Sequence, residues 1–173
     1  MSQGVDRSHE WVKGFAWLFG ITFLVWLALV SSLAPPEVIS GCIVALVISI
    51  LGAHLYARLG LPALTLKRAA FLLAYIGVLF WEIIKANVDV AYRVLHPRIP
   101  IRPGIVVIRT SLKSNVAKLI LANSITLTPG TFTLDVVDDQ LLIHWIYVGA
   151  TDVEGATQLI GKRFEKYLKP IFG

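Results

Sequence analysis

Four charged residues inside an otherwise apolar stretch are the strongest candidates for chemistry. Glu82, Lys85, Asp89 and Arg93 follow one another at steps of three, four and four residues, with alternating charge. On a helix these steps bring the side chains to one face, where neighbours of opposite sign can pair. An ionisable group at the bilayer centre costs at least ~2.5–3.5 kcal/mol, so its presence there indicates a function. The pattern therefore predicts either part of an ion path or a structural ion pair that holds elements or subunits together.

A threonine-rich turn is the second candidate site, and residues 126–131 read TLTPGT. Pro129 and Gly130 fit the two central positions of a type II turn, where glycine supplies the positive φ. The hydroxyls of Thr126, Thr128 and Thr131 could bind a ligand or an anion. They could equally satisfy backbone groups of the turn and of the strand that follows it.

The sequence contains none of the common motifs of a self-contained enzyme. It has no phosphate-binding or dinucleotide-binding glycine loop, no nucleophile elbow, no zinc-protease helix and no cysteine pair. The four histidines lack metal-ligand spacing, and the single cysteine, Cys42, lies inside an apolar run. We therefore expect no catalytic residue, no metal and no cofactor.

The composition indicates a membrane protein. Hydrophobic residues make up 56% of the 173 residues and charged residues only 16%, whereas a soluble domain carries roughly 25% charged residues. Most of the net charge of +5 lies at the ends of the apolar segments, where basic side chains meet lipid headgroups. We therefore expect a lipid bilayer as a partner, and no nucleic acid, because no basic stripe of the kind that binds it is visible.

Three apolar segments predict about three transmembrane helices within residues 1–95, an all-α membrane part. Residues 14–33 and 38–57 each supply about 20 residues, enough to cross a hydrocarbon core of about 30 Å. The third helix is predicted at about 67–92. Its uninterrupted apolar run ends at Trp81, so it is predicted to continue from the lipid as an amphipathic extension.

The remaining residues predict a small C-terminal α/β domain. Residues 96–103 read HPRIPIRP, and three prolines in eight residues favour an extended linker. Residues 104–173 then show strand and helix patterns in the order β-α-β-β-α. The last helix is predicted to begin with a capping box formed by Thr151 and Glu154.

Two of these segments carry a resemblance to a known family. The run from Trp81 to Asn87 with Asp89 and Arg93, and the stretch LANSITLTPGT at 121–131, resemble the E subunit of Mrp-type multisubunit sodium/proton antiporters. The resemblance implies an assembly of small hydrophobic proteins that exchanges cytoplasmic sodium for external protons. It also implies a subunit that is needed for the assembled activity and does not transport ions by itself.

The resemblance therefore implies a structural and assembly subunit in the plasma membrane, with other membrane subunits as partners. Two alternatives are the equivalent subunit of an energy-converting membrane-bound hydrogenase-type complex and a stand-alone membrane-anchored binding module. The C-terminal domain is expected on the cytoplasmic side, because most basic residues near a span lie there. Basic residues cluster at the N-terminus, in the connector before the third segment and after that segment. Three crossings cannot place all three clusters on the cytoplasmic side, but all three could lie there if the third segment did not cross.

Overall fold

Two long apolar helices form the N-terminal unit. The computed structural model describes residues 3–59, 61–62 and 65–173, and the chain divides into the units Met1–Leu64 and Thr65–Gly173. Helix α1 spans Gln3–Val30 and helix α2 spans Pro35–Leu59. The two prolines that separate the apolar segments lie in the first turn of α2, where the missing N–H costs nothing.

Small residues let α2 approach α1 closely. Ala45, Ser49 and Ala53 are fully buried. A Cβ atom on Gly41 would overlap the Trp26 ring, so this contact needs glycine. Close packing through small residues is how helices associate in lipid, where hydrophobicity gives no reason for them to pair.

The first helix of the C-terminal unit is α3, which spans Leu66–Leu95. Thr65 caps its N-terminus by accepting a hydrogen bond from the Arg68 N–H. The helix runs through the charged residues without a break and ends at the residue before His96-Pro97, since proline disfavours helix at the position before it.

Three antiparallel strands and further helices follow α3. The strands lie in the spatial order β1-β3-β2. Helix α4 joins β1 to β2. The chain ends in one continuous C-terminal helix that contains α5, a π-helical turn and α6. The bounds are β1 Gly104–Arg109, α4 Asn115–Leu127, β2 Thr131–Val137, β3 Gln140–Trp145, α5 Val153–Ala156, the π-helical turn Thr157–Gly161 and α6 Lys162–Phe172.

By length and composition alone, Pro35–Ala53 and Leu66–Leu95 could cross a membrane, and Gly14–Val30 is a shorter apolar helix. The structure thus confirms the coarse prediction of an N-terminal helical part with apolar helices and a small C-terminal sheet with helices.

The core of the C-terminal unit lies between the sheet and its helices. Val106, Ile108, Leu141 and Ile143 point from β1 and β3 into a cluster that α4 and the C-terminal helix complete. Helix α3 joins the same cluster through Tyr75, with Phe71 and Leu79 packed beside it. The compact unit therefore begins at Thr65, before the proline-rich segment, because one face of α3 is part of this core.

The N-cap of the C-terminal helix differs from the sequence-based prediction. Asp152, not Thr151, is the capping residue, and its Oδ2 accepts a hydrogen bond of 2.7 Å from the Gly155 N–H. The predicted cap at Thr151 was wrong because an aspartate one residue later supplies a stronger acceptor for the same orphan N–H groups.

Replacing Asp152 by alanine is expected to cost about 1 kcal/mol, because the first turn loses its side-chain acceptor. The melting temperature of the detergent-solubilised protein should fall by several degrees. Thr151→Ala is the matched control and should leave the melting temperature unchanged. Equal shifts for both variants would contradict the assignment of the cap.

Candidate functional site

A cleft of about 280 Å³ lies between α3 and the sheet, inside the C-terminal unit. We call it the α3 cleft. It brings together both candidate sites, the charged stripe of α3 and the threonine-rich turn. Its lining residues are Glu82, Lys85, Ala86, Asp89, Thr128, Pro129, Thr131, Trp145, Leu159 and Arg163.

Glu82 is the buried charge of the α3 cleft, with only 8% of its surface exposed. Its Oε1 accepts a hydrogen bond of 2.5 Å from Lys85 Nζ, one turn along the same helix. Its Oε2 accepts one of 2.7 Å from Arg163 Nη1, on α6. Both carboxylate oxygens are thus bound by cations, and the pairing joins α3 to a helix 81 residues away in sequence.

Asp89 and Arg93 form a separate pair at the end of α3. Arg93 donates to both Asp89 carboxylate oxygens, from Nε at 2.7 Å and from Nη2 at 3.0 Å. Its Nη1 donates to the Pro100 carbonyl oxygen at 2.7 Å, and its guanidinium lies 4.1 Å from the centre of the Tyr147 ring. The charged stripe therefore divides into two clusters, one that binds α6 and one that binds the proline-rich segment and the loop after β3.

Arg93→Lys is expected to destabilise the C-terminal unit by about 1–3 kcal/mol. Lysine keeps the charge but cannot bind both Asp89 oxygens and Pro100 at once, and it loses the planar contact with Tyr147. Thermal unfolding in detergent measures this loss. Arg98→Lys, at an exposed position, is the control and should change stability by less than about 0.5 kcal/mol. Equal melting temperatures for the two variants would contradict this role of Arg93.

The threonines of the turn bind local backbone groups. Thr128 Oγ1 donates to the Ile125 carbonyl oxygen at 2.7 Å, and Thr131 Oγ1 lies 2.6 Å from the same oxygen. Thr126 Oγ1 accepts from the Thr133 N–H at 3.1 Å. Thr128 and Thr131 line the α3 cleft, whereas Thr126 does not. The hydroxyls thus connect the end of α4 to the start of β2.

Gly130 is a point of close contact between the turn and α3. Its φ is +92°, as the turn prediction requires. A Cβ atom there would lie 2.9 Å from Ile146 Cγ2 and 3.6 Å from Val90 Cγ2. Its carbonyl oxygen accepts from the Ile146 N–H at 2.8 Å. The glycine therefore allows the turn, the loop after β3 and α3 to meet.

Sequence reasoning missed two important residues of the α3 cleft, Arg163 and Leu159. Both come from the C-terminal helix, whose pattern predicts a buried stripe but does not say which element covers it. A usable signal was present, because Arg163 is a cation directly beside the buried stripe residue Phe164. A charge at the edge of a buried face needs a partner, and Glu82 was an acidic candidate in the charged stripe.

The arrangement is suited to holding elements together. Glu82 has no oxygen free of a cation, and the threonine hydroxyls are bonded to the backbone. Within the residues that the structure describes, no group of three or more His, Cys, Asp or Glu side chains could hold a metal ion. The fold and the cleft define a class of protein with long apolar helices, in which an α/β domain is bound to one such helix through paired charges.

The comparisons with known proteins identify the family. The profile of the family described as "Na+/H+ ion antiporter subunit" matches residues 19–171, and the chain belongs to this family. It is 30% identical to the E subunit of the Na(+)/H(+) antiporter of Bacillus subtilis over 132 residues. This aligned region is 76% of this chain and 82% of that protein. The predicted resemblance to E subunits is thus confirmed.

Two further relatives differ in how much of their length is matched. The E subunit of the Na(+)/H(+) antiporter of Alkalihalophilus pseudofirmus is 39% identical over 95 residues, which is 55% of this chain and 58% of that protein. A chain of the membrane-bound sulfane sulfur reductase, an archaeal respiratory membrane complex, is 47% identical. The structural alignment includes 92% of this chain and 99% of that chain, with a TM-score of 0.79.

Proposed function

We propose that this protein is a structural and assembly subunit of a multisubunit cation/proton antiporter, with sodium as the exchanged cation. The observation that carries the proposal is the family match over residues 19–171, which includes both segments that meet in the α3 cleft. The relatives from Bacillus subtilis and Alkalihalophilus pseudofirmus are named as E subunits of Na(+)/H(+) antiporters.

The geometry of the cleft supports a non-catalytic role. A carboxylate in an ion path must release and rebind its partners during transport, whereas charge-assisted hydrogen bonds from two cations hold a carboxylate in one geometry. Both oxygens of Glu82 are held by Lys85 and Arg163. We therefore assign Glu82 and Lys85 to a structural cluster that keeps α3 and the α/β domain in a fixed relation. The neighbouring subunits are inferred to provide the ion path.

We also propose that the protein lies in the plasma membrane with residues 104–173 on the cytoplasmic side. The support is the distribution of basic residues, since the positive-inside rule places Lys and Arg near the ends of spans in the cytoplasm. Within the α/β domain, Arg109, Lys113 and Lys162 are exposed and can remain hydrated there.

A second candidate is the corresponding subunit of a respiratory membrane complex. The observation that favours it is the similarity to the archaeal sulfane sulfur reductase chain, which is 47% identical over 92% of this chain. The named antiporter relatives described above are 30% and 39% identical. Under this candidate the subunit keeps the same assembly role, and only the partner proteins change.

Purification in mild detergent through a C-terminal tag, followed by mass spectrometry, tests both candidates. Untagged cells from the same strain provide the control. Several very hydrophobic proteins should be recovered with the tagged subunit. Proteins that carry redox cofactors among them would select the respiratory complex, and their absence would select the antiporter. Recovery of the tagged protein alone, from cells that express its neighbours, would contradict both and favour a membrane-anchored binding module.

A further inference from the structure

One face of helix α3 packs against its own domain along most of the helix. Near its start Tyr75 shares a hydrogen bond with Ser124 of α4, in the middle Glu82 binds Arg163, and near its end Arg93 contacts Tyr147. The shielded positions recur every three or four residues and are Phe71, Tyr75, Leu79, Glu82, Ala86, Val90 and Arg93. At 1.5 Å per residue they cover about 33 Å, as much as the hydrocarbon thickness of a bilayer.

The surface of this domain is unsuited to the interior of a membrane. Helix α6 packs against α3 and presents exposed Lys162, Lys166 and Lys169 on its other side. Each such charge costs ~2.5–3.5 kcal/mol or more at the bilayer centre. Strands β1 and β2 are the two edges of a three-stranded sheet, and a sheet that is not closed into a barrel does not span hydrocarbon. If α3 crossed the bilayer, the domain attached along it would have to enter the lipid as well.

The opposite face of α3 is apolar and exposed. Its residues are Leu66, Leu73, Gly77, Phe80, Ile84, Val88 and Leu95, which we call the outer stripe. Leu73 is 71% exposed, and Phe80 and Val88 are each 65% exposed. The stripe is continuous over the whole helix, about 44 Å long, and needs an apolar surface to cover it.

We propose that α3 lies along the cytoplasmic surface of the membrane, with its outer stripe immersed at the boundary between the headgroups and the acyl chains of anionic phospholipids. Only α1 and α2 then cross the bilayer. This inference rests on the membrane location that is part of the proposed function. It replaces the expectation of three crossings, which the length and composition of α3 alone suggest.

The charge distribution identifies lipid as the occupant. Residues 14–57 contain no Lys or Arg, so two crossings place all 16 basic residues on one side, in accord with the positive-inside rule. Arg58 lies in the last turn of α2 and Lys67 in the first turn of α3, and both are exposed and can bind anionic headgroups. Helix α2 ends at Leu59 and α3 begins at Leu66, so a helix that leaves the bilayer is followed within a few residues by the one with the outer stripe.

Cysteine labelling in whole cells tests the number of crossings. In a Cys42→Ser background, Ser32→Cys, Thr65→Cys and Asp139→Cys are each treated with a membrane-impermeant maleimide. We expect labelling of S32C in intact cells, and of T65C and D139C only after permeabilisation. Labelling of only one of T65C and D139C in intact cells would put the two ends of α3 on opposite sides of the membrane and would overturn the inference. Absence of labelling at all three positions in intact cells, with labelling after permeabilisation, would instead contradict the membrane location on which the inference rests.

Fluorescence quenching in the assembled complex tests the occupant. Phe80→Cys and Val88→Cys carry a fluorophore in vesicles of phosphatidylethanolamine and phosphatidylglycerol, with nitroxides at shallow or deep positions on the lipid chains. We expect stronger loss of fluorescence with shallow nitroxides, and none for a Lys166→Cys control. Strongest quenching by deep nitroxides would indicate a spanning helix. Absence of quenching at both positions would mean that another subunit covers the stripe. Either result would overturn the proposal.

Discussion

Replacing Glu82 by glutamine is expected to remove most of the assembled complex while leaving the pH profile of transport by the remaining complex unchanged. Glutamine keeps the shape but loses the charge that binds Lys85 and Arg163. A hydrogen bond to a charged group contributes about 1.5–3 kcal/mol, and two are weakened at once. Because Lys85 and Arg163 are partly exposed, water screens part of this loss.

Blue-native electrophoresis measures the amount of complex, and proton flux in membrane vesicles over a range of pH measures transport. Glu154→Gln removes an exposed carboxylate and is the matched control, for which normal assembly is expected. Arg163→Gln should reproduce the assembly defect, and the double variant should be little worse than either single one, since both remove the same contact. A normal amount of complex with a shifted pH optimum would place Glu82 in the ion path and contradict the structural role.

The charged stripe shows which part of the site the sequence could predict. The spacing of Glu82 and Lys85 predicts a pair on one helical face, and the structure contains that pair. The same spacing predicts that Asp89 and Arg93 can pair, which they do. Periodicity could not identify Arg163 as the second partner of Glu82, because it reports which face of a helix is buried and not which element covers it. The roles of these residues remain predictions until the variants are measured.

The position of α3 could not be predicted for a related reason. An apolar run followed by an amphipathic extension fits a membrane helix that leaves the lipid, and it fits equally a helix with one face in a protein core. In the structure the side chain of Tyr75 is buried in the domain core beside Ser124, so one face of α3 lies in a protein core. Such a contact between residues 49 apart leaves no local trace in the sequence.

The strands show how local chemistry limits prediction. Residues 131–137 are predicted as a strand by alternation, and β2 has these bounds. Strict alternation would keep Phe132, Leu134 and Val136 on one face, but the register shifts between Thr133 and Asp135, so Val136 instead lies opposite the buried Leu141. A single extra residue in a ladder changes the face of every later side chain, and no composition signal marks its position here.

Replacing Gly130 by alanine is expected to be the most destabilising single change in the turn. Alanine at a φ of +92° costs about 1–3 kcal/mol in backbone strain. Its Cβ would also lie 2.9 Å from Ile146 Cγ2, closer than unbonded carbons approach, so the loop after β3 must move. Because Val90 Cγ2 of α3 lies 3.6 Å from the same added Cβ atom, accommodating the methyl group should also loosen α3 from the sheet and lower both the melting temperature and the yield of complex.

Gly77→Ala is the matched control, because Gly77 has no atom within 4 Å of the added methyl group and has helical φ. Alanine is favoured over glycine in a helix by about 1 kcal/mol, so this variant should be at least as stable as the natural protein. Both variants are compared by thermal unfolding in detergent and by the amount of complex recovered. If G130A had the same melting temperature as G77A, the turn would be able to rearrange freely. The close contact of the turn, the loop after β3 and α3 would then not be what holds the unit together.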